Sequence, residues 1–115
     1  MYDTRQSARR VLRHLAYDGD ADVAVLLVSE LVTDLVTRAR CPRPSLTLRL
    51  DVNSAGELAI SVTDKRPLRQ APRPSPGRHR HLLRVARCVG ARLERTVQEG
   101  ITTVRACLPN PKERP

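Results

Sequence analysis

The chain has 115 residues, which is enough for one domain with its own core and too few for two. Its net charge is +9, from 21 basic and 12 acidic residues, and only Lys65 and Lys112 are lysines. A basic chain suggests nucleic acid, but the absence of Phe and Trp removes the stacking platform of single-strand binders. A GC-rich coding sequence alone can produce such an excess of arginine.

The sequence excludes several other classes of protein. Its longest apolar run is far shorter than the roughly 20 residues of a membrane span, so we expect no membrane contact and a cytoplasmic location. The cysteines Cys41, Cys88 and Cys107 are scattered and form no C-x-x-C pair. A disulfide framework or a zinc site is therefore not expected, and the thiols should be buried or half-buried.

Two helices are predicted in the first third of the chain. Residues 4–17 carry apolar side chains at helical spacing, with arginines on the opposite stripe. Residues 22–39 are apolar around most of the helix, which predicts a position at the centre of the core. Asp20 or Asp22 can cap this helix at its start, and Pro42 follows its end.

The rest of the chain alternates between strand and helix patterns. A period of two predicts strands over 45–52 and 58–63, paired as an antiparallel hairpin. A short helix is predicted over 82–89, and a second hairpin from 93–97 and 101–108. The predicted fold class is α/β: a two-layer sandwich with a mixed, mostly antiparallel sheet of four strands and helices on one face.

We therefore predict one domain over 1–109 and a frayed tail over 110–115. Residues 65–81 stand out, since they hold six cations, four prolines and no acid. Prolines disfavour regular structure, and a loop of this length is usually functional or disordered. Its cations fit a solvated loop, a phosphate, an acidic protein surface or nucleic acid.

Three acidic residues are candidates for chemistry. Glu30 and Asp34 share one face of the core helix. They form either a solvated ladder with Arg38 or a cleft with a general base and a ligand for a cation such as Mg²⁺. Asp64 ends a strand, where it either starts a turn or accepts a hydrogen bond from a ligand amine.

The helix 20–36 resembles the N-box helix of anti-sigma-factor serine kinases. Its stretch Leu27-Val28-Ser29-Glu30-Leu31-Val32-Thr33 matches the L-V-S-E-L-V-T of small actinobacterial members. These kinases belong to the Bergerat-fold (GHKL) family, which includes the histidine kinases. Val62-Thr63-Asp64, followed by Pro67, resembles the family's adenine-binding G1 box. The stretch 100–104 resembles the late strand that bears a threonine near adenine.

The resemblance implies a histidine-kinase-like ATPase domain with ATP and Mg²⁺ as cofactors. Glu30 would be the general base, and Asp34 would stand where the family has its Mg²⁺-binding Asn. Asp64 would bind adenine with the help of Thr103. The loop 65–81 would be the ATP lid, with the cofactor-binding residues Gly77 and Arg78. A sigma factor or an anti-anti-sigma-like protein would be the partner, and family members also form homodimers.

The chain departs from the family pattern where phosphates bind. Asp34 adds a negative charge in place of Asn, Lys65-Arg66 replaces a glycine-containing turn, and Gly77 stands alone where the family has a G-x-G-like element. We therefore predict a regulatory protein that binds a protein partner, with weak or no ATP binding and kinase activity lost. The alternatives are an active Mg²⁺-ATP-dependent serine kinase and a small basic nucleic-acid-binding protein.

Overall fold

The computed structural model describes residues 4–37, 46–64, 76–99 and 101–113. The elements follow in the order α1 (Thr4–His14), α2 (Ala21–Thr37), β1 (Leu46–Val52), β2 (Leu58–Asp64), α3 (Pro76–Cys88), β3 (Arg92–Gln98), β4 (Ile101–Leu108) and a 3₁₀ turn (Pro111–Glu113). Helix α1 ends at His14, earlier than the apolar pattern predicts, and α2 is described as far as Thr37. The four strands lie where the period of two places them.

The strands form one sheet in the order β1-β2-β4-β3, and each neighbouring pair is antiparallel. The predicted α/β sandwich and both hairpins are confirmed. The sheet is fully antiparallel among the described strands, rather than mixed. A tight turn joins β1 to β2: the side-chain oxygen of Asn53 accepts hydrogen bonds from the amides of Ala55 and Glu57, each at 3.0 Å. Gly56 follows the turn with a φ of 79°, which favours glycine.

One face of the sheet packs against the helices, and α2 lies between α1 and α3. The core face of β2 consists of Leu58, Ile60 and Val62, all fully buried. The helix α2 covers this face with a broad apolar stripe made of Ala24, Leu27, Val28 and Leu31. The prediction that α2 is central to the core is therefore confirmed.

Helix α3 begins at Pro76, although the prolines of 65–81 predicted a loop as far as residue 81. Proline is compatible with the first helical turn, because the amide it lacks would have no partner within the helix there. The helix ends at Cys88, and Gly90 follows with a φ of 74°. Residues 65–75, which make up most of the predicted loop, lie outside the described residues.

Of the tail 110–115, for which fraying is predicted, the structure describes residues 110–113, and Asn110 and Lys112 have partners elsewhere in the domain. Asn110 donates a hydrogen bond from Nδ2 to the carbonyl of Ala55 at 3.0 Å. The hydroxyl of Tyr17 donates to the carbonyl of Pro109 at 3.2 Å. These contacts give the short tail specific partners that the polar composition of the tail does not reveal.

The core position of α2 leads to a stability prediction. Leu31→Ala should lower the free energy of unfolding by about 2–5 kcal/mol, because it leaves a cavity under a fully buried side chain. Leu26→Ala is the matched control on the same helix, since Leu26 is 45% exposed. Its effect should stay below about 1 kcal/mol. Urea unfolding of both variants measures the difference, and equal losses would contradict the placement of α2.

Candidate functional site

Asp64 and Thr102 lie side by side where the core face of the sheet ends. The register of β2 and β4 places them directly opposite each other. Both are buried, with exposures of 5% and 6%, although both are polar. Since side chains alternate along a strand, Asp64 shares its face with Val62, and Thr102 shares its face with Val104. The pair therefore lies on the helix side of the sheet.

Thr103, the threonine predicted to assist Asp64, lies on the opposite face. Its hydroxyl is 3.1 Å from that of Thr63, its cross-strand neighbour on the helix-free side. A shift of one residue along a strand moves a side chain to the other face, so Thr103 cannot serve the same ligand as Asp64. Thr102 is instead the threonine that shares the face of Asp64, and the alternation from Leu108 back through Ala106 and Val104 already indicates this parity in the sequence.

Asp34 lies on the core side of α2, one turn after Leu31, and is only 3% exposed. It contributes to a cavity of about 220 Å³ between α2, α3 and the β3–β4 hairpin. The cavity is lined mainly by apolar side chains, and its lining includes Leu82, Leu83, Leu93, Arg95 and Val104. Asp34 is therefore a buried carboxylate and not a rung of a solvated ladder. Arg38, the proposed end of that ladder, lies outside the described residues.

Glu30 faces α3 instead of sharing the environment of Asp34. Its Oε2 is 3.3 Å from Nε2 of His81, and its side chain is 21% exposed. This contact is an ion pair only when the imidazole is protonated. The structure thus places His81 next to the predicted general base, a contact that no pattern in the sequence predicts.

Gly77 and Arg78 were predicted in a loop, but they belong to the first turn of α3. A helical backbone at these positions differs from a glycine-rich phosphate loop, although helix N-termini also attract anions. The remaining lid positions, including Lys65 and Arg66, lie outside the described residues. The structure therefore describes the base end of the proposed nucleotide site more fully than its phosphate end.

Arg95 is a second residue that motif reasoning missed. It lies opposite Val104 in the β3–β4 register, which puts it on the helix side of the sheet, and it lines the same cavity as Asp34. Glu94 lines this cavity as well. The only sequence signal for the position of Arg95 was its parity with Leu93, a core-facing position in the same strand.

Asp34, Asp64 and Thr102 are the side chains that could offer oxygen atoms to a metal or a nucleotide. No group of three or more His, Cys, Asp or Glu side chains gathers among the described residues. Asp34 nevertheless offers carboxylate oxygens, which Mg²⁺ prefers, and nucleotide-linked Mg²⁺ is commonly held by one or two carboxylates. Asp64 and Thr102 offer an acceptor and a hydroxyl suited to a purine edge. The oxygen donors of Asp34, Asp64 and Thr102 are thus of the types that Mg²⁺ and a purine edge bind.

The structure also describes two of the three cysteines. Cys88 is exposed and Cys107 is half-buried, and both are free thiols. Cys41 lies outside the described residues. Within the described part of the chain, none of the helices has both the length and the apolar character needed to cross a bilayer.

Comparisons with known proteins identify the fold. No family model and no curated protein match the chain. Among solved structures, it is similar to the blue-light activated histidine kinase of Erythrobacter litoralis EL346, with a TM-score of 0.60 and 24% identity. It is also similar to a histidine kinase domain from that kinase, with a TM-score of 0.55 and 25% identity.

Each likeness covers 81% of this chain but only 31% and 48%, respectively, of the matched chains. The chain therefore has the histidine-kinase-like ATPase fold and spans less than half the length of these neighbours. The GHKL-like fold implied by the resemblance of the N-box helix is confirmed at this level.

Proposed function

We propose that this chain is a regulatory domain that binds a protein partner and retains a weakened site for ATP. The observation that carries the nucleotide part is the buried Asp64–Thr102 pair on the helix side of the sheet. The carboxylate of Asp64 can accept a hydrogen bond from the amino group of adenine, and Thr102 can hydrogen-bond the ring edge. Following the resemblance of residues 27–33, the partner we propose is a sigma factor or an anti-anti-sigma-like protein.

The metal side of the proposed site depends on Asp34. Its carboxylate would supply oxygen ligands to Mg²⁺, and the bound cation would neutralise phosphate charge. Without the cation, the buried charge of Asp34 repels a triphosphate, because charges interact strongly where water is excluded. The proposed site thus binds ATP weakly and depends on divalent cation.

The surroundings of Glu30 support the loss of phosphotransfer. A general base needs to reach the proton that it removes. Here Oε2 of Glu30 lies 3.3 Å from His81, a contact that competes with a hydroxyl substrate. In an active kinase, the alternative function, Glu30 would instead take the proton of a serine hydroxyl. Transfer of labelled phosphate to a partner protein would therefore contradict this part of the proposal.

Asp64 provides the direct test of nucleotide binding. In calorimetric titrations with Mg²⁺-ATP, Asp64→Asn should weaken binding by at least about tenfold, since an amide presents its NH₂ where a second acceptor oxygen stood. Asp51→Asn is the control, because Asp51 is an exposed carboxylate on β1 that pairs with Arg49 at 2.7 Å. It should leave the affinity unchanged. Tight binding by the wild-type chain that survives Asp64→Asn would overturn the proposal.

The two adjacent threonines of β4 test which face binds the base. Thr102→Val removes a hydroxyl beside Asp64 and should weaken Mg²⁺-ATP binding by about tenfold. Thr103→Val removes the hydroxyl that meets Thr63 and should change the affinity by less than about twofold. Circular dichroism checks that both variants fold. The reverse order of effects would place the base on the helix-free face.

Asp34 tests why the site is weak. Asp34→Asn removes a negative charge at nearly constant volume and should raise affinity for ATP without Mg²⁺ by about tenfold. With saturating Mg²⁺ the gain should be smaller, because the cation already compensates the carboxylate. Paired titrations in EDTA and in Mg²⁺ measure both values. An equal gain in the two conditions would show that Asp34 does not act through the cation.

A further inference from the structure

The two sides of the domain carry different charge. On the helix-free face of the sheet, three arginines stand among three acids: Arg49, Arg92 and Arg105 with Asp51, Glu57 and Glu94. Arg49 pairs with Asp51 at 2.7 Å, and Arg92 approaches Glu57 at 3.5 Å. Arg105 lies opposite Glu94 in the β3–β4 register. This face is therefore electrically balanced.

The outer side of the helical layer is not balanced. Among the side chains that the structure describes, α1 and α3 carry seven exposed arginines, namely Arg5, Arg9, Arg10, Arg13, Arg80, Arg84 and Arg87. Neither helix contains an acid. The acids that α2 adds on its outer side are Asp22, which pairs with Arg9, and Glu30, which lies beside His81. A coding bias toward arginine would not by itself sort the surplus onto one side of the molecule.

Contacts between the helices show that these arginines share one surface. Arg5 reaches Ser29 at 3.3 Å, and Arg9 reaches Asp22 at 2.9 Å, so the arginine stripe of α1 runs along the outer side of α2. On α3, Arg80, Arg84 and Arg87 recur at helical spacing opposite the buried Leu82 and Ala86. We name these seven arginines, with the α2 stripe between them, the outer helical surface.

We propose that the outer helical surface docks an acidic protein segment. The stripe of α2 between the two arginine groups includes Leu26, which is 45% exposed. An apolar centre with a rim rich in arginine is typical of protein–protein interfaces. Nucleic acid fits less well, because its phosphates would meet the carboxylates of Asp22 and Glu30 on the same stripe. The inference rests on the protein-binding part of the proposed function and names its surface.

Two triple variants that have the same net charge as each other test the role of this surface. Arg80→Gln, Arg84→Gln and Arg87→Gln together remove three cations from the outer helical surface. Arg49→Gln, Arg92→Gln and Arg105→Gln together remove the same charge from the helix-free face. The probe is a synthetic, fluorescently labelled amphipathic helix in which glutamates flank a stripe of leucines. Its binding to the full chain is measured by fluorescence anisotropy. The first triple variant should weaken binding about tenfold or more, and the second by less than about twofold.

Further arms separate the possible occupants. The Leu26→Gln variant should bind the leucine-bearing peptide more weakly than the wild-type chain does. A control peptide with alanine in place of each leucine should bind the variant and the wild-type chain equally. No binding of the peptide by the wild-type chain, or equal losses in both triple variants, would overturn the inference. The inference would also be overturned if the chain bound a short DNA duplex more tightly than the peptide and if Leu26→Gln did not change that binding.

The same experiment distinguishes failure of the surface from failure of the proposed function. A double variant, Arg84→Gln with Arg87→Gln, leaves Asp64, Thr102 and the proposed lid 65–81 untouched, so its Mg²⁺-ATP titration should match that of the wild-type chain. Peptide binding that is lost in this variant while ATP binding persists supports the inference. If this variant still binds the peptide, the partner must bind another surface, and the proposal of a nucleotide site is not affected.

Discussion

The strict alternation of side chains along β2 is the constraint on which the rest of the structure depends. Leu58, Ile60 and Val62 are fully buried under α2, and a slip of one residue would turn polar neighbours into the core. Because this register is fixed by the core, Asp64 must continue the same face at the end of the strand. Pairing with β4 then fixes Thr102 beside it. The candidate site is in this sense the polar end of the hydrophobic core.

The sequence predicts the fold well because its periodicities are strong and local. The alternation of the four strands and the apolar stripe of α2 determine the layers, and the structure confirms them. Motif matching paired Asp64 with Thr103, which lies on the opposite face of the sheet, because two adjacent threonines look alike until the parity of the strand is counted. Proline misled the prediction at Pro76, since its effect depends on its position in a helix. The contact between Glu30 and His81 joins two helices across the fold, which no local pattern could reveal.

The charge of +9 has a different meaning once it is placed on the fold. Arginine is abundant on both sides of the sandwich, so abundance alone carries little information. The two sides differ in the number of acidic residues near the arginines. On the sheet Arg49 pairs with Asp51, whereas α1 and α3 contain no acidic residue. Self-repulsion on such a surface costs stability, and an acidic partner would relieve it. The distribution of acids, more than the number of arginines, therefore points to a partner.

Asp34 connects the core to the chemistry of the site. Its position one turn after Leu31 would suit an apolar side chain, and burying a carboxylate there carries a desolvation cost. The cavity beside it is lined mainly by apolar side chains, together with Glu94 and Arg95. In the proposed nucleotide site, an asparagine would fill the same space without that cost and would tolerate a phosphate with or without metal. A carboxylate would instead make binding depend on a cation, so the proposal implies a site that responds to its metal.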